Sequence, residues 1–511
     1  MRYQRIPQLF LIAILVIGTF GFAVPQQDAF VKTQPQLQAL AASDPGQIVR
    51  VIAQKVAGAE DVEALVASLD GKVVTDLSII NAFAAEMTAD AALELAQAEG
   101  VRWVSLDAPV EQAGKPGPAN SGTPTDNFYL DTLGVRQLWN MGLTGAGISV
   151  AIVDSGISTD MDWNTNPKTY TFATNSKSAT DIYGHGTHVA GIVAGNGRDS
   201  NGKYKGIAPG VNLIAIKIAD GDGMAYESDV VAGLQWVYQN KAAYNIRVVN
   251  LSLNTTTEQS YHVSPLDAAC EILWFNGVVV VVSSGNKGAS GNYNTANASP
   301  ANDPFLLSVG AVDEKGSLST NDDTFASYTS YGTTQDGYFS PNIMAPGSNI
   351  YSVLSKDSPW VSQYPDRVTP DGQYFRISGT SMAAPMVTGT VALLLQDEPN
   401  LTPDQVKYRL LNSSDRTISL KVGEKKDTVT YNLPYLNAYS VVTGTTTQSA
   451  NQGILPSQLL TTGSTPIAWS SVGWNSVGWN SVGWNSVGWN SVGWNSVGWN
   501  SVGWNSTYWG Q

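Results

Sequence analysis

Four short motifs in this chain carry side chains that could do covalent chemistry. Gly379-Thr380-Ser381-Met382-Ala383-Ala384-Pro385 sets one serine among small residues, just before an apolar run, Val387 to Leu395, that reads as a buried helix. Ser381 would then stand at a helix N-terminus, where free backbone N–H groups and the helix dipole favour developing negative charge. A nucleophile suits that place, and so does an ordinary serine N-cap. Asp154 closes the apolar stretch Ile148–Val153 and enters the turn Ser155-Gly156. A carboxylate at the C-terminal end of a parallel strand points into the crevice where α/β sheets bind ligands, although aspartate is also a common turn former. Two of the three histidines lie in Gly184-His185-Gly186-Thr187-His188-Val189-Ala190-Gly191. Their i, i+3 spacing lacks the glutamate of a zinc-protease helix, so no metal is expected, and His188 reads as a packed residue. Asn286, in Val282-Ser283-Ser284-Gly285-Asn286, follows a valine-rich strand and could donate its amide to an oxyanion or simply shape a turn. Together the four supply an orienter (Asp154), a base (His185), a nucleophile (Ser381) and an oxyanion donor (Asn286). A helix cap would require none of the other three.

These side chains need a scaffold that brings strand ends and helix starts together. From Leu130 to about Asp415, short runs rich in β-branched residues (Ile148–Val153, Leu213–Ile218, Arg247–Leu253, Val278–Ser283) alternate with helix-like stretches (His185–Ala194, Ser228–Asn240, Pro265–Asn276). Such runs suit parallel strands buried on both faces, so the pattern predicts a doubly wound, mostly parallel α/β domain. Thr402-Pro403-Asp404 marks the start of a terminal helix to Leu411. Ahead of this domain, residues 46–108 read as strand, helix, strand, strand, helix, strand, the ferredoxin-like order. The Pro/Gly/Ser/Thr-rich stretch 113–126 between them reads as a linker.

The ends of the chain differ in kind. Arg2 and Arg5 precede an apolar run, Leu9–Val24, that reads as a secretory signal peptide over residues 1–23 and is short for a membrane span. No charged residue follows Asp427; residues 428–470 read as an uncharged linker, and Ser471–Asn505 is seven tandem copies of Ser-Val-Gly-Trp-Asn. Tryptophan every five residues fits neither helix nor strand, which leaves a low-complexity tether or a stacked array, either able to present aromatic faces to a cell-surface or polysaccharide ligand. With 511 residues there is room for several domains, and a net charge of −14 argues against nucleic acid as a partner. The single cysteine, Cys270, lies in an apolar setting and reads as a packed thiol.

The chain order Asp, His, Ser and the motifs Asp154-Ser155-Gly156, His185–Gly191 and Gly379–Pro385 resemble those of the subtilases, the subtilisin-like serine proteases, over residues 128–416. The 46–108 unit likewise resembles the family's inhibitory, chaperoning propeptide. This resemblance implies a secreted endopeptidase acting on protein or peptide substrates, made as a proenzyme and processed within 113–126. In it Ser381 attacks the scissile carbonyl, His185 shuttles the proton, Asp154 holds the imidazole, and Asn286 with the Ser381 N–H receives the oxyanion. It also implies that Ser252-Leu253-Asn254 and Gly223-Met224-Ala225-Tyr226 sandwich an extended substrate, with Ala298 on the floor of the first specificity pocket and an apolar or broad preference. Asn254 stands where the family usually has glycine, and Met386 where it often has histidine. No cofactor is required, and Asn196–Gly202 is an oxygen-rich candidate for structural calcium, diluted by Arg198 and the following Lys203. The competing expectation is a surface-binding or assembly protein that acts through its tryptophan tail and carries a degenerate protease domain.

Overall fold

The structure, a computed structural model, describes residues 32–59, 61–112, 126–159, 161–176, 178–288, 295–422, 429–462 and 465–466. The 1–23 leader, residues 113–125 of the linker and the 471–505 repeats lie outside the described residues. Among those described, no helix is long and apolar enough to cross a membrane.

The N-terminal unit contains α1 (Pro35–Ser43), β1 (Ile48–Lys55), α2 (Val62–Ser68), β2 (Lys72–Leu77), β3 (Ala82–Thr88), α3 (Ala89–Gln97) and β4 (Val101–Leu106). Its four-stranded antiparallel sheet runs β2-β3-β1-β4, the ferredoxin-like order expected from the strand and helix pattern. Alternation along β1 sends Val51 and Ala53 into a core with Val62, Val66 and Leu95, under the unit's own helices. Ile52 points the other way and joins the core of the following domain, together with Leu77, Ile80 and Trp103. The sheet is thus buried on both faces, one of them by the rest of the chain. A last strand, β5 (Pro109–Gln112), leaves this sheet altogether.

The larger domain contains β6 (Ser149–Asp154), β7 (Lys168–Thr171), α4 (His185–Ala194), β8 (Asn212–Lys217), β9 (Met224–Tyr226), α5 (Glu227–Tyr244), β10 (Ile246–Leu251), β11 (Leu253–Thr255), α6 (Pro265–Phe275), β12 (Val279–Ser283), β13 (Leu307–Asp313), β14 (Thr324–Phe325), β15 (Ile343–Pro346), α7 (Thr380–Asp397) and α8 (Pro403–Asn412). Its sheet runs β14-β13-β12-β10-β6-β8-β7, with β15 also paired to β13, and every pairing but β13 with β14 is parallel. The valines of β10 and β12 are buried on both faces, as a parallel sheet covered by helices requires. Helices α4 and α7 pack together on the sheet, as do α5 and α6.

The C-terminal boundary differs from the sequence reading, which ended the domain at 416 and made 428–470 a linker. The chain instead forms β16 (Thr417–Val422) and β17 (Val429–Pro434), a hairpin, then α9 (Ala438–Thr443). Tyr435, Leu436, Val441, Val442, Leu459 and Leu460 are all buried in the domain core. The lack of charge in this stretch reflects burial of its apolar residues and not a solvated tether.

Candidate active site

Asp154 ends β6 and lies opposite Lys217, the last residue of β8. Both are fully buried. The Lys217 ammonium donates to the carbonyls of Ser155 and Thr180 at 2.8 Å each, tying the turn after Asp154 to the segment that leads into α4. Ser155 N–H donates to Asp154 Oδ1 at 2.7 Å. The next tie is Asp181, which sequence reasoning missed. Its Oδ1 accepts from Ser155 Oγ (2.8 Å) and Gly184 N (2.7 Å), and its Oδ2 from Thr187 N (2.8 Å) and Thr187 Oγ1 (2.6 Å). Burial pushes this carboxyl up, against four donated hydrogen bonds that favour the anion. The available signal was an aspartate shortly before a helix start, where orphan N–H groups need an acceptor.

His185 is the first residue of α4. Its Nδ1 lies 2.8 Å from Asp154 Oδ1 and 3.0 Å from Oδ2. Its Nε2 is buried and has no hydrogen-bond partner among the described residues. Gly186 permits this closeness: a Cβ there would lie 2.2 Å from Gly156 O and 3.1 Å from Asp154 Cβ. His188 is the packed histidine expected; its Nε2 is 2.8 Å from Phe375 O, and burial pulls its pKa down to about 3, so it stays neutral.

Ser381 is the second residue of α7, and Pro385 sits inside the same helix. Proline has no N–H to give to the carbonyl four residues earlier, so Ser381 O is left open, and Ser252 Oγ donates to it at 3.1 Å. Ser381 Oγ returns a bond to Ser252 O at 3.1 Å. Asn250 Nδ2 donates to Ser252 Oγ (2.9 Å), and Thr388 Oγ1, two turns along α7, donates to Asn250 Oδ1 (2.8 Å). The serine is therefore fastened to the strand end at 250–252, and its hydroxyl is not hydrogen-bonded to His185. Asn286 Oδ1 accepts from Thr380 N (2.9 Å) and Thr380 Oγ1 (3.0 Å). Those contacts fix the orientation of the amide, with its oxygen on the start of α7 and its donor edge turned elsewhere.

Next to Ser381 a three-stranded sheet runs β11-β5-β9. The strand from the N-terminal unit lies between the two segments expected to hold substrate. Leu253, Asn254 and Thr255 pair with Gln112, Glu111 and Val110, and Tyr226, Ala225 and Met224 with Pro109, Val110 and Glu111, all antiparallel. Asn254 does not block this pairing, because its side chain turns away and Nδ2 donates to Ser283 O at 3.0 Å. Gly223 is required for a different reason: it has φ +80°, and a Cβ would lie 2.6 Å from the ring of Tyr183. Ala298 bridges to Glu258, and Thr255 N donates to the adjoining Ser299 O at 2.8 Å, which places Ala298 beside β11. Met386 is fully buried, a packing position.

In the loop offered for calcium, several oxygens receive hydrogen bonds from the loop itself. Asn196 Oδ1 accepts from Arg198 N (2.8 Å), Arg198 Nε donates to Asp199 Oδ1 (2.9 Å), and Gly197 N is held by Asp162 Oδ2 (2.9 Å). Among the described residues no three His, Cys, Asp or Glu side chains converge as metal ligands. Cys270 is fully buried, and burial pushes its thiol up.

The subtilase family model matches residues 145–453. Serine protease AprX of Bacillus subtilis (strain 168) is 38% identical over 284 residues, 54% of this chain and 62% of that protein. Subtilisin E of the same strain is 29% identical over 411 residues, 80% of this chain and 93% of its own length. That match is longer than the whole stretch from residue 145 to the C-terminus, so it takes in part of the chain that precedes the family match. Fervidolysin from Fervidobacterium pennivorans shares the fold, with a TM-score of 0.58 at 24% identity, covering 78% of this chain and 61% of that one. The chain belongs to the subtilase family, the subtilisin-like serine proteases.

Proposed function

We propose that this protein is a secreted serine endopeptidase made as a proenzyme, whose N-terminal unit blocks the substrate groove until it is removed. The observation that carries this reading is the seating of β5 between β9 and β11, as an added strand, with its C-terminal end running toward Ser381. In the proposed reaction Ser381 Oγ turns from Ser252 O toward His185 Nε2, gives up its proton there and attacks the substrate carbonyl, forming a tetrahedral intermediate. His185 then passes that proton to the leaving amine, and the acyl-enzyme forms; water reverses the sequence. Asp154, bonded to Nδ1, keeps the proton on that nitrogen and stabilises the imidazolium. Asn286 and the Ser381 N–H donate to the oxyanion, with the Thr380 contacts keeping the Asn286 donor edge in one orientation.

The preference expected is broad or apolar. The N-terminal unit is its own inhibitor, and the tail a candidate for binding a cell surface or polysaccharide. The rival reading, a degenerate protease carried by an adhesive tail, would predict a broken quartet, and all four residues are present. A serine-reactive fluorophosphonate separates the two. The processed protein should label at Ser381, and a Ser381→Ala chain should neither label nor lose its N-terminal unit. A folded, processed protein that does not label at Ser381 would sink the protease reading.

A further inference from the structure

We infer that residues 454–460, well beyond the catalytic residues, form a strap that fastens the N-terminal unit to the catalytic domain. The chain reaches this point from α9 and is anchored first on the catalytic domain. Tyr261 OH donates to Leu455 O at 2.8 Å. Ser457 N–H donates to the buried Glu271 carboxylate (3.0 and 2.8 Å), and Ser457 Oγ to His262 O at 3.0 Å. Ser457 is fully buried, so this anchor is part of the fold and not a surface contact. A short turn over Gln458–Leu460 follows, packed on α6.

From that anchor the segment reaches across to the N-terminal unit. Gln54 of β1, itself 1% exposed, donates one amide N–H to Leu459 O (2.6 Å) and the other to Ile80 O (2.9 Å). Arg102 of β4 donates from Nη2 to Gln458 O. Leu459 and Leu460 are buried at 1% and 0% exposure, in the same core that holds Ile52, Ile80 and Trp103 of the N-terminal unit. The two leucines therefore share a core with residues of an element that the proposed maturation removes. When the unit leaves, two backbone carbonyls lose their donors and two leucines lose part of their cover, directly before the chain continues into the tryptophan repeats. Departure of the inhibitor and loosening of the tail's root are one event.

The strap itself stands on geometry alone; its coupling to maturation rests on the proenzyme reading. The test uses the full chain carrying Ser381→Ala, which holds the N-terminal unit in place, compared with the same chain carrying Gln54→Ala and Arg102→Ala. Hydrogen exchange of peptides covering 454–460 should speed up several-fold in the second chain, while peptides from β10 and β12 stay unchanged. Unchanged exchange at 454–460 would overturn the strap whether or not the protein is a protease. A second arm uses the active full chain. The cleaved N-terminal unit should dissociate about tenfold faster when Gln54 and Arg102 are replaced, with kcat of the released enzyme unchanged, because both residues leave with the unit. Leu459→Asn/Leu460→Asn, altered from the other side, should speed dissociation likewise. If those leucine changes lower only the melting temperature of the released enzyme and leave dissociation as it was, the segment is ordinary domain packing and the inference fails. A wild-type chain that never cleaves itself would count against the proenzyme reading and leave the exchange result to decide the strap.

Discussion

Gly186→Ala isolates the demand that the Asp154–His185 pair makes on its backbone. The new methyl carbon would lie 2.2 Å from Gly156 O and 3.2 Å from Asp154 Oδ1. An unstrained carbon–oxygen contact is about 3.3 Å, so the first turn of α4 and the Asp154–Gly156 turn must separate by about 1 Å. These two segments carry the two ends of the 2.8 Å His185–Asp154 contact. Overpacking of this kind costs about 1–3 kcal/mol in stability, a few degrees in melting temperature for a domain of this size. The larger effect is on rate, since a displacement of about 1 Å at a reacting group can cost about 10²-fold. The assay is self-cleavage of the purified full chain, followed on a gel, with melting temperature measured in parallel. Gly221→Ala is the control, because its Cβ would meet only Ile182 Cγ2, at 3.9 Å. Self-cleavage of a folded Gly186→Ala chain within about threefold of the parent would refute the claim that this glycine sets the dyad geometry.

Other expectations follow from neighbouring contacts. Lys217→Met leaves the Ser155 and Thr180 carbonyls without their buried donor; kcat on a short peptide should fall about tenfold or more with KM nearly unchanged, and an equal rise in KM would contradict a role confined to the Asp154 turn. Thr380→Val removes a hydroxyl that donates to Asn286 Oδ1 and accepts from Gly285 N; kcat should drop about five- to tenfold, and unaltered kinetics would mean the amide is held without it. Gln112 pairs with Leu253, and the carbonyl of the neighbouring Ser252 accepts from Ser381 Oγ; intact mass and N-terminal sequencing should place the new N-terminus at Gly114 or one residue either side, and a start beyond Thr125 would exclude cleavage just after β5. Burial, against a hydrogen bond from Leu266 N, pushes Glu227 up to about 8 from 4.5, with Asp107 and Asp267 adding to the rise. Between those values the folded chain keeps a proton that the unfolded chain has released, so stability falls as pH rises through that window. The melting temperature of the Ser381→Ala chain should therefore decline from pH 5 to 8.5, less steeply with Glu227→Gln, and identical slopes would refute this.

The parts of this protein that were legible in sequence are those where one local rule acts alone. The valine run of β12 has to be a doubly buried strand, and the 46–108 unit announces each turn with a change of period. Asp154, His185, Asn286 and Ser381 were visible because each ends a strand or starts a helix, where side chains can converge. Asp181 and Lys217 were not, because their value lies in what they tie together. A lysine at the end of an apolar strand looks like a solvated flank until Asp154 is seen beside it and two carbonyls are found on its ammonium. The stretch from 429 to 460 was misread for the opposite reason. Uncharged and rich in Ser and Thr, it has a linker's composition, while its few leucines and tyrosines fill holes in a core made by distant residues.

The way the N-terminal unit is held bears on how it could be lost. Among the described residues, three of β5 pair with each wall of the groove. Much of the attachment lies elsewhere. Asp107 caps the start of α5 through Ser228 N (2.8 Å) and Ser228 Oγ (2.7 Å), while Arg50 holds the same carboxylate at 2.9 Å. Gln235 Oε1 accepts from Ile79 N (2.8 Å), Gln34 Nε2 donates to Gln259 Oε1 (3.2 Å), and Gln54 reaches the strap. Ile52, Leu77 and Ile80 add apolar burial in the shared core. None of these contacts depends on the chain being continuous past Gln112. In the proposed maturation a cut after β5 would free one strand end and leave these other anchors in place, so cleavage and release would be separate steps. Release would have to undo a buried carboxylate cap, an apolar face and the 454–460 segment together, so under this proposal the lifetime of the cut complex would govern when the groove opens to substrate.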